Sequence, residues 1–429
     1  MAYQFIKHVC LPVMLTLIVG TLSNTAQATN GLHTKANKAF GLSKSAFIKL
    51  NKINPSMHQG PAKPVEFNVK LKGQQETLTL TPTSVRTKHF KVLLQQADGS
   101  LEEIAPAPSK TYRGQIKNKP GSQVSAAMTD SGLKARILDT DGDELWIRPM
   151  SKNIIGSTLS DHVLFRQADA TEAPGTCAAH EHHGLPIDYD TAQFTANNTP
   201  SSTETESIET ESLETESAQA RQTSQLQRAE IAIDADYEYF QAWGSSETNT
   251  QEAIERIIND INIQYERDVN ITYQISTLII RTTPNTYTSN TSADLLNELR
   301  SQWSLYHSDI ERDIVHLFTG KNLIDGAIGI AWMGVVCNSQ YAYGLSKHLS
   351  NPASAAILTA HELGHNWSAP HCDCLDYTMH PYLSNIATKR FDPNTTIPAI
   401  NSFKQNLTCL ATPPPPAAPK NLTVSIKFK

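Results

Sequence analysis

The chain has little that would place it in a membrane or on nucleic acid. Beyond its first twenty residues, no run of eighteen uninterrupted apolar residues occurs anywhere in its 429, so no later segment suits a membrane-spanning helix. The one apolar stretch of note, residues 9–20, is too short for a good span. Lys7 and His8 precede it and Ala26-Gln27-Ala28 follows it, the pattern of a secretory signal cleaved after Ala28. The expectation is a signal peptide over residues 1–28 and a secreted, soluble mature protein without stable membrane insertion, with a retained anchor as the alternative. Basic excess is also lacking: 36 Lys and Arg stand against 42 Asp and Glu, a formal charge of −6. With no basic stripe, nucleic acid is not an expected partner. Cysteine is scarce, at six. Cys10 lies in the apolar stretch, Cys177 stands alone, and Cys337, Cys372, Cys374 and Cys409 form an even group. Four cysteines in an exported chain suggest two disulfides, with three pairings open.

What the chain does have is HELGHNWSAPH, from His361 to His371. On a helix, positions i and i+4 share a face, so His361 and His365 reach one ion from adjacent turns. Glu362 then sits beside the ion, placed to take a proton from activated water. His371 follows six residues after His365, far enough for the chain to leave the helix and return with a third nitrogen. With fifteen histidines in the chain, the pair alone is a weak signal and the third imidazole sharpens it. Three protein ligands leave one position open, as a catalytic zinc does and a structural zinc does not. The helix has a start signal in Ser350-Asn351-Pro352, a polar cap with Pro in the first turn. The run from Ala353 to Ala360 is helix-favouring and mostly apolar.

His361 to His371, with Met379 in DYTMHP, resembles the metzincin pattern H-E-x-x-H-x-x-G-x-x-H and its Met-turn. HELGHNW, APH and the upstream run from Asp313 to Cys337 are most similar to the reprolysin or adamalysin (ADAM-type) metalloproteases, over about residues 229–410. The resemblance implies an α/β (α+β) catalytic domain with a twisted mixed sheet and a zinc helix. It implies Zn2+ on His361, His365 and His371, Glu362 as general base, and Met379 as the floor under the metal. Whether calcium also binds stays open, since nothing in the sequence indicates it. By analogy with the family, Cys337 pairs with Cys409, which leaves Cys372 with Cys374. The resemblance also makes Ile328, Gly329, Ile330 and Ala331 an edge strand that pairs with extended substrate; a plain core strand is the alternative.

Two positions depart from the family pattern. Ser368 stands where Gly is usual, at a left-handed turn that costs an L-residue about 1 kcal/mol; a strained turn is expected, not a lost site. Cys372 replaces the usual Asp after the third His. Tyr382 lies three residues past Met379 and is read as a packing residue.

Five segments are expected. After the signal comes a β-rich propeptide domain, residues 29–200, whose alternating stretches 67–71 and 77–80 read as strands. Pro120-Gly121, Asp130-Ser131-Gly132 and Asp141-Gly142-Asp143 read as turns. YRGQIKNKPGS (Tyr112 to Ser122) and WIRP (Trp146 to Pro149) resemble the propeptide that precedes reprolysin domains; a binding module without inhibitory role is the alternative. Near its end, Cys177 is either a cysteine switch toward the open zinc position or a free or intermolecular cysteine. His180, His182 and His183 either hold a metal or are solvated. Residues 201–228 contain ETESI, ETESL and ETESA in tandem, an acidic low-complexity linker expected to be disordered, with activating cleavage between about Ala220 and Ala229.

The catalytic domain, residues 229–411, reads as strand 230–234, helix 250–269, strand 272–280, helix 293–306 and strand 314–318, ending on the zinc helix. Residues 412–429 form a Pro-rich tail; its 418–424 resemble the first strand of a fibronectin type III domain. Sequons occur, one of them Asn366-Trp367-Ser368. The whole reads as a secreted zinc endopeptidase, made as a proenzyme, acting on extracellular protein or peptide. A secreted binding or adhesion protein on an inactive metzincin scaffold and a zinc hydrolase of small amides or cell-wall peptides are the alternatives, and oligomeric state stays open.

Overall fold

The computed structural model describes residues 31–53, 64–171, 175–178, 225–383 and 390–411. The signal peptide, His180, His182 and His183, residues 201–224 of the acidic linker with the first part of the expected cleavage region, and the Pro-rich tail lie outside the described residues; Arg228 and Ala229, at the end of that region, stand in the strand Gln227–Ala235. The chain forms two compact units.

The first unit comprises Met1–Thr81 and Arg113–Glu172. Its strands are β1 (Ala46–Lys49), β2 (Asn51–Ile53), β3 (Val65–Leu71), β4 (Gln74–Pro82), β7 (Thr111–Ile116), β8 (Gln123–Thr129), β9 (Gly132–Leu138), β10 (Glu144–Pro149) and β11 (Asp161–Phe165). They make one nine-stranded sheet in the order β1-β11-β10-β9-β8-β7-β4-β3-β2. Most neighbours are antiparallel partners joined by short turns, as β8 and β9 are around Asp130-Ser131. Leu78, Leu80, Ile116, Val124, Ile137, Ile147 and Val163 are fully buried along its inward positions, the period-2 burial that the alternating sequence demands.

The second unit comprises Pro82–Tyr112 and Ala173–Lys429. Its eight strands are β5 (Arg86–Gln95), β6 (Leu101–Ile104), β12 (Thr176–Cys177), β13 (Gln227–Ala235), β14 (Ile271–Ile280), β15 (Ile314–Thr319), β16 (Ala327–Ala331) and β17 (Tyr343–Lys347). They are ordered β12-β16-β17-β15-β13-β14-β5-β6. β13 is parallel to both β14 and β15, and β15 to β17, while β16 runs antiparallel to β17. The central strands read as near-continuous apolar runs because helices cover them. The expected α/β architecture with a mixed sheet is what the second unit has, and the first unit is β-rich. The boundary differs from the expected 29–200, because Pro82–Tyr112 belongs to the second unit. The stretches expected as strands from their alternation cover 67–71 and 77–80, and none covers β5.

Among the described residues, five helices complete the second unit: α1 (Tyr237–Ala242), α2 (Glu247–Val269), α3 (Ser292–Tyr306), α4 (Pro352–Asn366) and α5 (Thr396–Gln405). α2 starts where Ser246 accepts from the Asn249 N–H and stops at Asn270, which takes the left-handed conformation, the usual chemistry of such ends. Its expected stripe, Ala253, Ile254, Ile257, Ile258, Ile261 and Tyr265, is buried, but so are Gln251, Glu255, Asn259, Asn262 and Gln264. Asn259 donates to the carbonyl of Tyr112, and Asn262 bonds both backbone groups of Tyr273. Asp234 at the end of β13 is buried with its charge met: it accepts from Arg281 at 2.7 and 3.0 Å, Tyr287 at 2.8 Å and Trp303 at 3.1 Å. A buried carboxylate persists only with such partners.

Candidate metal centre

α4 carries the first two imidazoles. Asn351 caps it, its side-chain oxygen accepting from the N–H groups of Ala353 and Ser354, and Pro352 occupies the first turn. Every residue of the helix is buried. His361 and His365 therefore project from adjacent turns into protein, not solvent. Past the helix the chain reverses. The Ser368 N–H donates to the His365 carbonyl and that of Ala369 to Gly364, while Ser368 takes φ +69°. The left-handed turn is made by Ser where Gly is easier, and it brings His371 back over the helix.

The Nε2 atoms of His361, His365 and His371 lie 3.1 Å from one another in all three pairs. Carbonyl oxygens only accept, so His361 Nδ1–H donates to Thr378 O at 2.7 Å and His365 Nδ1–H to Ala369 O at 2.8 Å. That fixes the tautomer of both rings, with the Nε2 lone pair facing inward. Converging lone pairs repel unless a cation lies between them. Zinc bonds of 2.0–2.1 Å at tetrahedral angles set nitrogen donors about 3.3 Å apart, close to the spacing here. The donor set fits a metal. Met379 is fully buried and packs its sulfur against Gly364 of α4.

Glu362 lies beside the trio with no exposed surface. Its Oε1 has no hydrogen-bond partner, and burial holds its carboxyl well above the usual range, against a smaller lowering by the Cys177 thiol. Room for it comes from Gly329 in β16: a Cβ there would sit 2.3 Å from Glu362 Oε1. Of the expected edge strand, Gly329, Ile330 and Ala331 are buried and Ile328 partly so.

Cys177 reaches the same place. Its sulfur lies 3.5 Å from Glu362 Oε2 and 3.6 Å from His365 Nε2. With the three histidine nitrogens it forms a four-donor group within 4.8 Å. β12 holds it there, parallel to β16 with Thr176 opposite Ala327 and Cys177 opposite Gly329. On the other side, the Cys177 N–H donates to Pro381 O at 3.1 Å and the Leu383 N–H to Gly175 O at 2.9 Å. Gly175 permits the approach, since a Cβ there would lie 2.5 Å from the Ile328 side chain. Tyr382, more than half exposed, bridges to Thr176. A small cavity beside His361 is walled by Ile328, Ile357, Leu358, Tyr377 and Tyr382. Sequence reasoning missed Gly175; the GTC step before Cys177 was its only signal. Among the described residues the other cysteines join as Cys337–Cys409 and Cys372–Cys374.

Residues 225–409 match the model of metallo-peptidase family M12. This segment is a metzincin domain of the reprolysin type. A snake venom metalloproteinase, trimerelysin-2 of Protobothrops flavoviridis, is 27% identical over 170 residues, which cover 38% of this chain and 84% of that protein. Disintegrin and metalloproteinase domain-containing protein 10 of Bos taurus is 23% identical over 346 residues, 71% of this chain but 43% of that protein. The chain thus spans under half the length of the disintegrin relative. The crystal structure of metalloproteinase-II from Bacteroides fragilis aligns over 80% of this chain and 92% of that one, with 13% identity and a TM-score of 0.46. Among the described residues no helix is long and apolar enough to cross a membrane.

Proposed function

We propose that this metzincin is an exported zinc endopeptidase acting on extracellular protein or peptide, synthesised in latent form. In this reading residues 1–28 direct export, the following region through residue 200 contains the inhibitory elements, residues 201–228 link, residues 229–411 catalyse and residues 412–429 trail. The observation that carries it is the triangle of Nε2 atoms 3.1 Å on a side, with a buried carboxyl at its flank.

His361, His365 and His371 hold the metal, and Met379 supports the turn that closes the site. Zinc in such a donor set supplies Lewis acidity, lowering the pKa of water to about 7 and polarising a carbonyl. Glu362 takes the proton as water attacks the peptide carbonyl and delivers it to the departing amine. Burial raises the affinity of this carboxylate for a proton, which suits it to the role of acceptor. β16, from Ile328 to Ala331, offers backbone groups to an extended substrate.

Latency rests on Cys177. Its sulfur stands where water and a substrate carbonyl would have to meet, and a thiolate is a strong zinc ligand. While β12 stays between β16 and the segment 381–383, the nucleophile has no place. Cys337–Cys409 and Cys372–Cys374 suit an oxidising compartment, in keeping with export.

The test is metal content with casein hydrolysis after limited proteolysis of the zinc-loaded chain. Hydrolysis should appear, stop with a chelator, and be absent in Glu362→Ala at unchanged zinc content. Hydrolysis that survives Glu362→Ala would refute the assignment.

A further inference from the structure

β5 and β6 precede the linker in sequence, yet they complete the far edge of the sheet that carries the metal centre. β5 runs parallel to β14, with Lys91, Val92, Leu93 and Leu94 opposite Thr277, Leu278, Ile279 and Ile280. Val92 is buried, and Leu93 and Leu101 pack on the core cluster that includes Ile279, Leu295 and Leu299. The attachment continues onto α2. Arg86 meets Glu255 at 2.7 Å, a carboxylate only 2% exposed. The Gln251 side chain bonds both backbone groups of Ala107, at 3.0 and 3.1 Å, and Lys110 pairs with Glu252 at 2.6 Å.

Removing this segment would open the hydrogen-bonding edge of β14 to water. It would also leave the Glu255 carboxylate buried without its guanidinium, a strongly unfavourable state. The surface formed by β14 and the polar face of α2 is thus built for one partner, Pro82–Tyr112 of the same chain.

We propose that a cut in the linker does not release the N-terminal piece: Pro82–Tyr112 keeps it docked on β14 and α2, so the cut protein is a two-part complex that is still latent. This rests on the proenzyme reading above. Cys177 travels with the docked piece, so its local concentration at the metal stays on the order of millimolar or more after the cut. Freeing the site takes a second event, such as a cut between Tyr112 and Cys177.

The test replaces residues 204–218 of the full chain with the recognition sequence of a site-specific protease. After complete cutting, size-exclusion chromatography reads association, native alkylation followed by mass spectrometry reads Cys177, and peptide hydrolysis reads activity. The two pieces should co-elute, with Cys177 labelling and hydrolysis within about twofold of the uncut chain. Arg86→Ala combined with Val92→Pro, which removes an ion pair and a ladder donor, should let the pieces separate on cutting. Excess synthetic peptide of residues 82–112 should do the same without any substitution. Pieces of the parent that separate on cutting alone overturn the proposal, as does co-elution with freely alkylated Cys177. Co-elution that persists against both the variant and the peptide overturns the role of β5. A complex that co-elutes and shields Cys177, but never hydrolyses peptide in any form, counts against the protease reading alone.

Discussion

Replacing Gly329 by Ala isolates the contribution of carboxylate placement. An added Cβ would stand 2.3 Å from Glu362 Oε1, 2.7 Å from Cδ and 2.8 Å from Cγ. Ordinary contact is about 3.4 Å or more, so Glu362 must retreat by about 1 Å. It has nowhere soft to go, because α4 is buried along its whole length. A displacement of that size in a reacting group lowers the rate by about 100-fold, or about 2.7 kcal/mol of barrier. The substitution leaves every backbone donor and acceptor of β16 in place, so KM should change by less than about threefold. Zinc content should hold, since no histidine is touched. Steady-state hydrolysis of a peptide by the activated variant, with metal analysis on the same preparation, reads both quantities. A kcat within fivefold of the parent at full zinc content would show that Gly329 does not confine the carboxylate, and the placement argument would fail.

Gly175→Val should weaken latency, since its side chain would collide with Ile328; alkylation of Cys177 in the uncut chain should speed up at least tenfold, and an unchanged rate would refute the packing account. Loss of Cys337–Cys409, which spans 72 residues, should cost about 4 kcal/mol by loop-closure entropy. Urea unfolding of the Cys337→Ser, Cys409→Ser protein checks this, and a loss below 1 kcal/mol would contradict it. Burial depresses the His316 pKa to about 3 from 6.5. The unfolded chain therefore binds the extra proton first, and this stability is fully present above about pH 6.5 and is lost as pH falls toward 3. Going from pH 7 to pH 5 should cost the parent about 2 kcal/mol more than His316→Gln, read from urea midpoints; equal losses in the two proteins would sink this assignment.

Where Asn366-Trp367-Ser368 is concerned, the fold overrides the motif. Asn366 is fully buried and its amide donates to the carbonyls of Trp332 and Tyr343, so no glycan has access. The β-rich reading of residues 29–200 met a similar limit. Strand character was legible in β3 and β4 from alternation, but β5 left its neighbours to join β14, which lies about 180 residues further along. α2 shows the same effect from the other side. Its apolar stripe was visible, while its buried Gln251 and Glu255 make sense only once Arg86 and Ala107 cover them.

By itself the sequence determined the local chemistry: a capped helix, two histidines one turn apart, a glutamate beside them and a third histidine within reach. Those features depend on spacings of a few residues, which backbone geometry converts directly into distances. The tertiary structure decided what distant segments bring. It set the Cys177 sulfur against Glu362, 185 residues away in sequence, and it gave the catalytic sheet an edge drawn from before the linker. Strand pairing across such separations depends on which surfaces are left uncovered once the rest of the chain has packed, and no short window of sequence contains that.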